Sequence, residues 1–430
     1  MKRKRDLPFQ NLSKEAWQNL AIAAFLVFYA GQVILDAAWN NYCGNLSIDY
    51  CAFWSAGKIA NTDGYGQAYN LERLWEIQQP IVSKYMAPEQ YAPVPVPYLP
   101  IFIVPFQLFA LLEVVPGFWI WTVLNLIGTV AYLIFFARKT GRGKPLQKRN
   151  LLLALLSLPV FLNLFQGQVN LWLMVCAGEF LRAMLNDKPF QAGLWLSGLL
   201  LKPQILILIL PALLFKRFFQ TIYGFTLSAA GLGLVSFLMG GWTALRNLIQ
   251  LLVGYSGGLP SNYPEAMMNW RMVAFNFNAL TRSAIGWWFA IPCLLVTFVV
   301  TLYLWKFSFR PTRTQFPIII LAIFAGTFAV TWHSHFSMSM IAIPFLLYLL
   351  SENILPEKLF SLWFFAPPAI MVFTYLAAPL VKVGLLPSGL YPIINLLTDA
   401  RGLILNMILL GCAVVYLSRN SQPVKAQSIP

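Results

Sequence analysis

Long apolar runs broken by short polar stretches dominate this chain. Runs at 18–38, 115–137, 218–240, 284–305, 314–332, 358–378 and 400–418 are each long enough to cross a ~30 Å hydrocarbon core as an α-helix. Further runs at 150–164, 168–185, 190–202, 204–216 and 335–351 bring the predicted total to about twelve crossings. All are continuous rather than alternating, which excludes a β-barrel. The predicted fold class is an all-α integral membrane protein, with one transmembrane domain over 1–430 and no soluble domain or repeat.

Two polar stretches, 39–97 and 241–283, interrupt the pattern. In the first, Leu71, Leu74, Trp75, Ile77 and Ile81 recur at helical spacing within 71–86, predicting an amphipathic helix in the interface. Residues 92–100, APVPVPYLP, are too proline-rich for a regular helix. The apolar stretch 98–112 is short and ends before VVPG at 114–117, so it is expected to lie on the surface or re-enter rather than cross.

Composition strengthens the membrane reading and charge orients it. The chain is 59% hydrophobic and 10% charged, where soluble domains carry roughly 25% charged residues. The net charge of +15 is no sign of a nucleic-acid partner, because the Lys and Arg lie in short clusters between apolar runs. The positive-inside rule puts such clusters in the cytoplasm. Lys2, Arg3, Lys4 and Arg5 place the N-terminus inside, and the six basic residues of 138–149 mark the next inner loop. A single crossing between 97 and 138 satisfies both, so 98–112 is not counted as a span. Both termini are then cytoplasmic, and 39–97 and 241–283 face outward from a plasma (inner) membrane. No small-residue cleavage site follows the first run, which reads as an uncleaved span.

The five cysteines form no CxxC or Cys/His spacing, so no zinc or redox motif is expected. Cys43 and Cys51 are placed to pair if their loop faces an oxidising compartment; free thiols are the expectation.

This topology, built from Lys/Arg placement and run length, puts the chemistry-bearing residues on one outer face. Asp49 follows the first span, beside Tyr50. A carboxylate at a low-dielectric boundary can act as a general base; as a plain loop residue it would be a solvated acid or helix cap. Gln168 and Asn170, in the turn FQGQVN, are suited to sugar hydroxyls or to capping the next helix. Lys202 ends a short run, where it either snorkels or pairs with a phosphate. Arg271 and Trp270 suit a phosphate and a ring contact, or interfacial anchoring. His333 and His335, the two histidines of the chain, suit hydrogen bonds to a phosphate or hydroxyl; without nearby Cys, Asp or Glu they predict no metal site.

Several of these motifs, in order, resemble a known family. Asp49-x3-Phe53-x2-Ala56-Gly57, Gly64 and Tyr69 are followed by YLPIFIVPF (98–106), GQVN (167–170), AGLWLSGLLLKPQ (192–204) and HSHF (333–336). The series is similar to the polyprenyl-phosphate-mannose-dependent mannosyltransferases of glycosyltransferase family 87. The resemblance implies a GT-C bundle with an extracytoplasmic active site. It implies inverting transfer of a hexose, typically mannose, from a polyprenyl-phosphate donor to a hydroxyl of a lipid or glycan acceptor. Asp49 would be the general base, and the late family histidine maps to the HSHF turn, with His335 preferred over His333. The outer segments lack a paired acidic motif, so no cofactor is assigned.

Two other readings compete. A transporter or flippase needs intramembrane ions or an inverted repeat; the runs contain almost no ions and show no inverted repeat. A polysaccharide polymerase or ligase would share the bundle but consume an oligosaccharide-pyrophosphate lipid.

Overall fold

The computed structural model describes residues 13–39, 48–82, 92–140, 147–256, 264–307, 314–387 and 389–420. Apart from one isolated bridge between Met267 and His335, their regular structure is α- or 3-10-helical. An apolar chain in lipid has to satisfy its backbone groups within each segment, and the helix does so.

The helices run between two ends of a bundle, and a few contacts fix their direction. α8 (Asn170–Leu185) starts beside Lys202, whose Nζ donates to Asn170 Oδ1 at 2.9 Å. α9 (Pro189–Ser197) returns parallel to α11 (Phe219–Ser256): Phe190 meets Tyr223 with ring centroids 5.8 Å apart, and Ser197 Oγ donates to Ser228 Oγ at 2.6 Å. The chain has to come back before α11 begins, and α10 (Leu206–Phe215) brings it. Lys202 therefore stands at the tip of a helical hairpin. α14 (Gln315–Val330) climbs from Phe316, which packs near Phe180 and Phe218, to the HSHF turn. α15 (Ala342–Ser351) descends.

At the opposite end an ion pair between Arg149 and Glu357 joins the starts of α6 (Lys148–Leu155) and α16 (Glu357–Lys382). That end collects many of the basic residues: Arg138 and Lys139 end α5 (Val114–Thr140), Lys216 and Arg217 follow α10, and Lys306 follows α13 (Ile285–Tyr303). Wide apolar faces point outward, as at Leu234 and Leu238 on α11 and Trp288 and Val296 on α13. Such faces are tolerable in lipid rather than in water.

Six described helices are long and apolar enough to cross a membrane, seven if α6 and α7 (Leu158–Phe165), bent by 44°, form one span. Four further apolar helices, over 189–201, 203–215, 315–330 and 336–351, are shorter. The expected count of about twelve is not reached on length and apolarity. Breaks of α-helical structure around Lys202-Pro203 and His335 shorten these runs. α8 carries a buried polar cluster instead of a uniform apolar face: Arg182 Nε donates to Glu179 at 2.7 Å and Tyr132 Oη donates to Glu179 at 3.4 Å.

The stretch 98–112 forms a 3-10 turn and the six-residue α4 (Val104–Phe109), about 9 Å long at 1.5 Å per residue and far short of a span. It clasps α2 (Ile48–Thr62): Trp54 Nε1 donates to Leu112 O at 3.0 Å and Asn61 Nδ2 to Gln107 O at 2.9 Å. α3 (Leu71–Val82) buries Leu74, and its buried Gln78 bonds Val94 through both Nε2 and Oε1. Residues 83–86 of the expected amphipathic helix lie outside the described residues. Within the second polar stretch, α11 continues past a kink at Gly241 (φ 63°, ψ −166°), and α12 (Trp270–Thr281) follows.

One expectation is overturned. Cys51 is disulfide-bonded, with a partner outside the described residues, whereas Cys176, Cys293 and Cys412 are free thiols. Cys51 sits on α2, two residues after Asp49.

Candidate active site

A cavity of about 660 Å³ opens at the bundle end opposite the basic one. Asp49, Gln168, Lys202, His333 and His335 all line it, so four separate stretches of sequence meet there.

Asp49 lies in the first turn of α2, and the neighbouring residue locks that turn. The Tyr50 ring is fully buried, edge-on to Phe106, Phe109 and Phe118. Tyr50 N donates to Gln166 O at 3.1 Å, tying α2 to the GQVN turn. Gly167 has φ +66°, and a Cβ there would lie 2.4 Å from Tyr50 Cβ. Glycine alone accommodates both the left-handed backbone and this approach. Gly167 O accepts Trp121 Nε1 at 3.0 Å. Asn163 closes the turn, its Oδ1 accepting Asn170 N at 2.9 Å and its backbone O accepting Gln168 N at 2.8 Å.

The locked turn aims two amides at one ammonium. Lys202 Nζ donates to Gln168 Oε1 and Asn170 Oδ1, each at 2.9 Å. The Gln168 side chain also hydrogen-bonds the Asp49 carboxylate; since Oε1 serves Lys202, the amide NH₂ donates to Asp49. The result is a continuous chain, Asp49–Gln168–Lys202. Burial pushes the Asp49 carboxyl above its ordinary value, and the Gln168 hydrogen bond and the Lys202 charge oppose that rise. Burial likewise pushes Lys202 down to about 8, against the pull of Asp49. Each charge is costly in this low-dielectric pocket, and each sustains the other.

The HSHF turn forms the facing wall. Met268 N donates to Ser334 O at 2.9 Å. Asn269 caps α12 by accepting Met272 N at 3.0 Å while its Nδ2 donates to Thr331 O at 2.8 Å. Ser334 Oγ donates to Phe328 O at 2.7 Å, and Gln204 Nε2 to His333 O at 3.4 Å. The two imidazoles meet edge-on, 4.6 Å between centroids. Burial and the nearby Lys202 charge push His335 down to about 4, partly offset by its bond to the Ala266 backbone. Burial, His335, Lys202 and Arg271 hold His333 well below its usual value. Both rings are therefore neutral at physiological pH, each offering one N–H donor and one nitrogen acceptor.

Asn170 reaches the cavity only through Lys202, and three further sequence candidates stand back from it. Tyr50 is packed behind Asp49. Trp270 Nε1 donates to Thr297 Oγ1 of α13 at 2.8 Å. The Arg271 guanidinium stacks 3.9 Å from the Trp332 ring centroid, and its Nη1 donates to Trp332 O at 3.4 Å. Trp332 lines the cavity, so Arg271 reaches it through that indole.

Sequence reasoning missed Asn163, Trp332, Asp399 and Arg401. The last two line the cavity from α17 (Leu390–Asn420), and ionisable residues within an apolar helix were their available signal. Among the described residues no group of three His, Cys, Asp or Glu is placed to hold a metal ion.

No curated protein and no solved structure matches the chain. The model of glycosyltransferase family 87 matches residues 97–331. The matched stretch contains the GQVN turn, Lys202, Asn269 and Trp270, while Asp49 and the two histidines flank it. With more than half of the chain matched, and with a helical bundle built for a membrane, the chain belongs to glycosyltransferase family 87.

Proposed function

We propose that this membrane glycosyltransferase moves a hexose, in the first instance mannose, from a polyprenyl-phosphate carrier to a hydroxyl acceptor, by inversion, with Asp49 as general base. The observation that carries the reading is the Asp49–Gln168–Lys202 chain in a cavity with otherwise largely apolar walls.

In the step proposed, the Asp49 carboxylate takes the proton of the acceptor hydroxyl. The hydroxyl oxygen attacks the anomeric carbon from the face opposite the phosphate. The bond from that carbon to the phosphate oxygen breaks, and polyprenyl phosphate leaves with the bonding pair. Before reaction the Lys202 charge sustains ionised Asp49. Once Asp49 is protonated that charge is uncompensated, and it serves the phosphate on which negative charge has grown. The neutral His333 and His335 are suited to sugar hydroxyls or phosphate oxygens, and Gln168 and Asn170 hold Lys202 in place.

Two observations support an extracytoplasmic site: the basic residues cluster at the opposite end, and Cys51 is disulfide-bonded next to Asp49, which suits an oxidising compartment. The GT-C architecture and the plasma-membrane location belong to the same proposal.

The test is incubation of purified wild type and Asp49→Asn with radiolabelled polyprenyl-phosphate-mannose and extracted membrane lipids. Labelled lipid or glycan from wild type, absent with the variant, is the expected outcome. Full transfer by Asp49→Asn would remove the base role. Turnover of other polyprenyl-phosphate sugars in place of mannose would correct the donor.

A further inference from the structure

The cavity has a second charged pole that the reaction above does not use. Arg401 lies inside the apolar span Leu396–Asn420, yet lines the same cavity as Asp49. α17 is pressed close to the HSHF turn, since a Cβ at Gly402 would meet Phe336 at 2.7 Å and Met268 at 2.6 Å. The Arg401 guanidinium lies 5.4 Å from the centroid of the Phe336 ring. Its Nη1 donates to Thr398 O, and its buried Nε has no hydrogen-bond partner among the described residues. Asp399, Tyr29 and Tyr375 are close enough to act on its charge.

An ionised side chain inside a span is costly and points to function. A guanidinium presents a planar fork of donors suited to phosphate. Lys202 spends two of its three N–H donors on Gln168 and Asn170 and stands beside Asp49. A phosphate resting there before reaction would face the base, a like charge. Arg401, on another helix beyond Phe336, offers a cation apart from the base, with the Asp399 carboxylate near it on its own helix. We infer that Arg401 holds the phosphate of a lipid-borne substrate in the cavity it shares with Asp49. This rests on reading the cavity as the lipid-substrate site. The phosphate belongs either to the sugar carrier or to an anionic lipid acceptor.

The test uses the full chain in phosphatidylcholine nanodiscs, titrated by tryptophan fluorescence with farnesyl phosphate, farnesol, short-chain phosphatidylglycerol and short-chain diacylglycerol. Wild type is expected to prefer a phosphate-bearing probe over its uncharged partner by roughly tenfold or more, as a charge-assisted contact supplies. Arg401→Gln should remove that preference while keeping affinity for the uncharged probe and the thermal midpoint. Loss confined to farnesyl phosphate assigns the carrier phosphate, and loss confined to phosphatidylglycerol assigns the acceptor. A folded Arg401→Gln protein that keeps the preference overturns the inference. If the variant does not fold, phenylglyoxal labelling of wild type decides. Protection of Arg401 by a phosphate-bearing probe but not by its uncharged partner supports the site, and labelling indifferent to both overturns it. Failure of the proposed reaction reads differently: wild type would show Arg401-dependent phosphate binding yet transfer no sugar from any polyprenyl-phosphate donor.

Discussion

Asp49 and Lys202, 153 positions apart in the chain, are joined through the single side-chain amide of Gln168. An acid and a base share one bridging group, and both sit where burial disfavours their charges. The arrangement separates proton acceptance from positive charge while keeping the two coupled.

Asn at position 49 keeps the shape and a hydrogen bond to Gln168 but cannot take a proton. Asp49→Asn should lower kcat by roughly 10²–10⁴, the usual range for a general base, with donor KM and thermal midpoint little changed. Single-turnover transfer with labelled donor measures it.

The rate should be bell-shaped in pH. Burial raises the Asp49 pKa, so the base is lost on the acid side at a pH above the ordinary carboxylate range. Lys202, pushed down to about 8, loses its charge on the alkaline side near that pH. Both histidines are held low, His335 at about 4, so neither contributes a limb at the usual imidazole pH. In Lys202→Arg the alkaline limb should disappear, because arginine stays charged throughout. A limb near pH 8 that survives in this variant would assign it to another group.

Neutral imidazoles acting by hydrogen bonding should tolerate an amide. His335→Gln should retain more activity than His335→Ala, with losses of about tenfold or less against larger ones, a hydrogen bond being worth roughly 0.5–1.5 kcal/mol. Equal losses would point to proton transfer or packing instead. Parallel kinetics with both variants settle the choice.

Gly167→Ala forces a side chain into Tyr50 at a left-handed backbone position. The strain should cost about 1–3 kcal/mol and displace the start of α2, lowering kcat together with the thermal midpoint. Trp121→Phe, which removes one hydrogen bond to the same turn, should give a milder form of the same defect.

Cys51 should resist alkylation until the folded protein is reduced, and reduction should depress transfer by loosening the chain next to Asp49. Peptide mapping of the Cys51 peptide after maleimide labelling with and without reduction tests this.

Much of this protein is legible in its sequence because the bilayer imposes a simple code. Apolar length predicts helices, and clustered Lys and Arg predict which loops share a side. Those two rules gathered Asp49, Gln168, Asn170, Lys202 and the histidines on one face, because each lies at a turn that the code places there. The rules give about twelve crossings, whereas six described helices, or seven with the bent pair, are long and apolar enough on their own, because backbone breaks as around Lys202-Pro203 shorten other runs. They are also silent about depth and direction. Trp270 and Arg271 lie on the expected face, but packing against Thr297 and Trp332 turns them from the cavity. Arg401 lies within an apolar run, and the close approach of Gly402 to Phe336 brings it to the site. Cys51 pairs although its spacing carried no motif. Side-chain partners depend on which helices touch and at what rotation, and contacts between residues far apart in the chain set both.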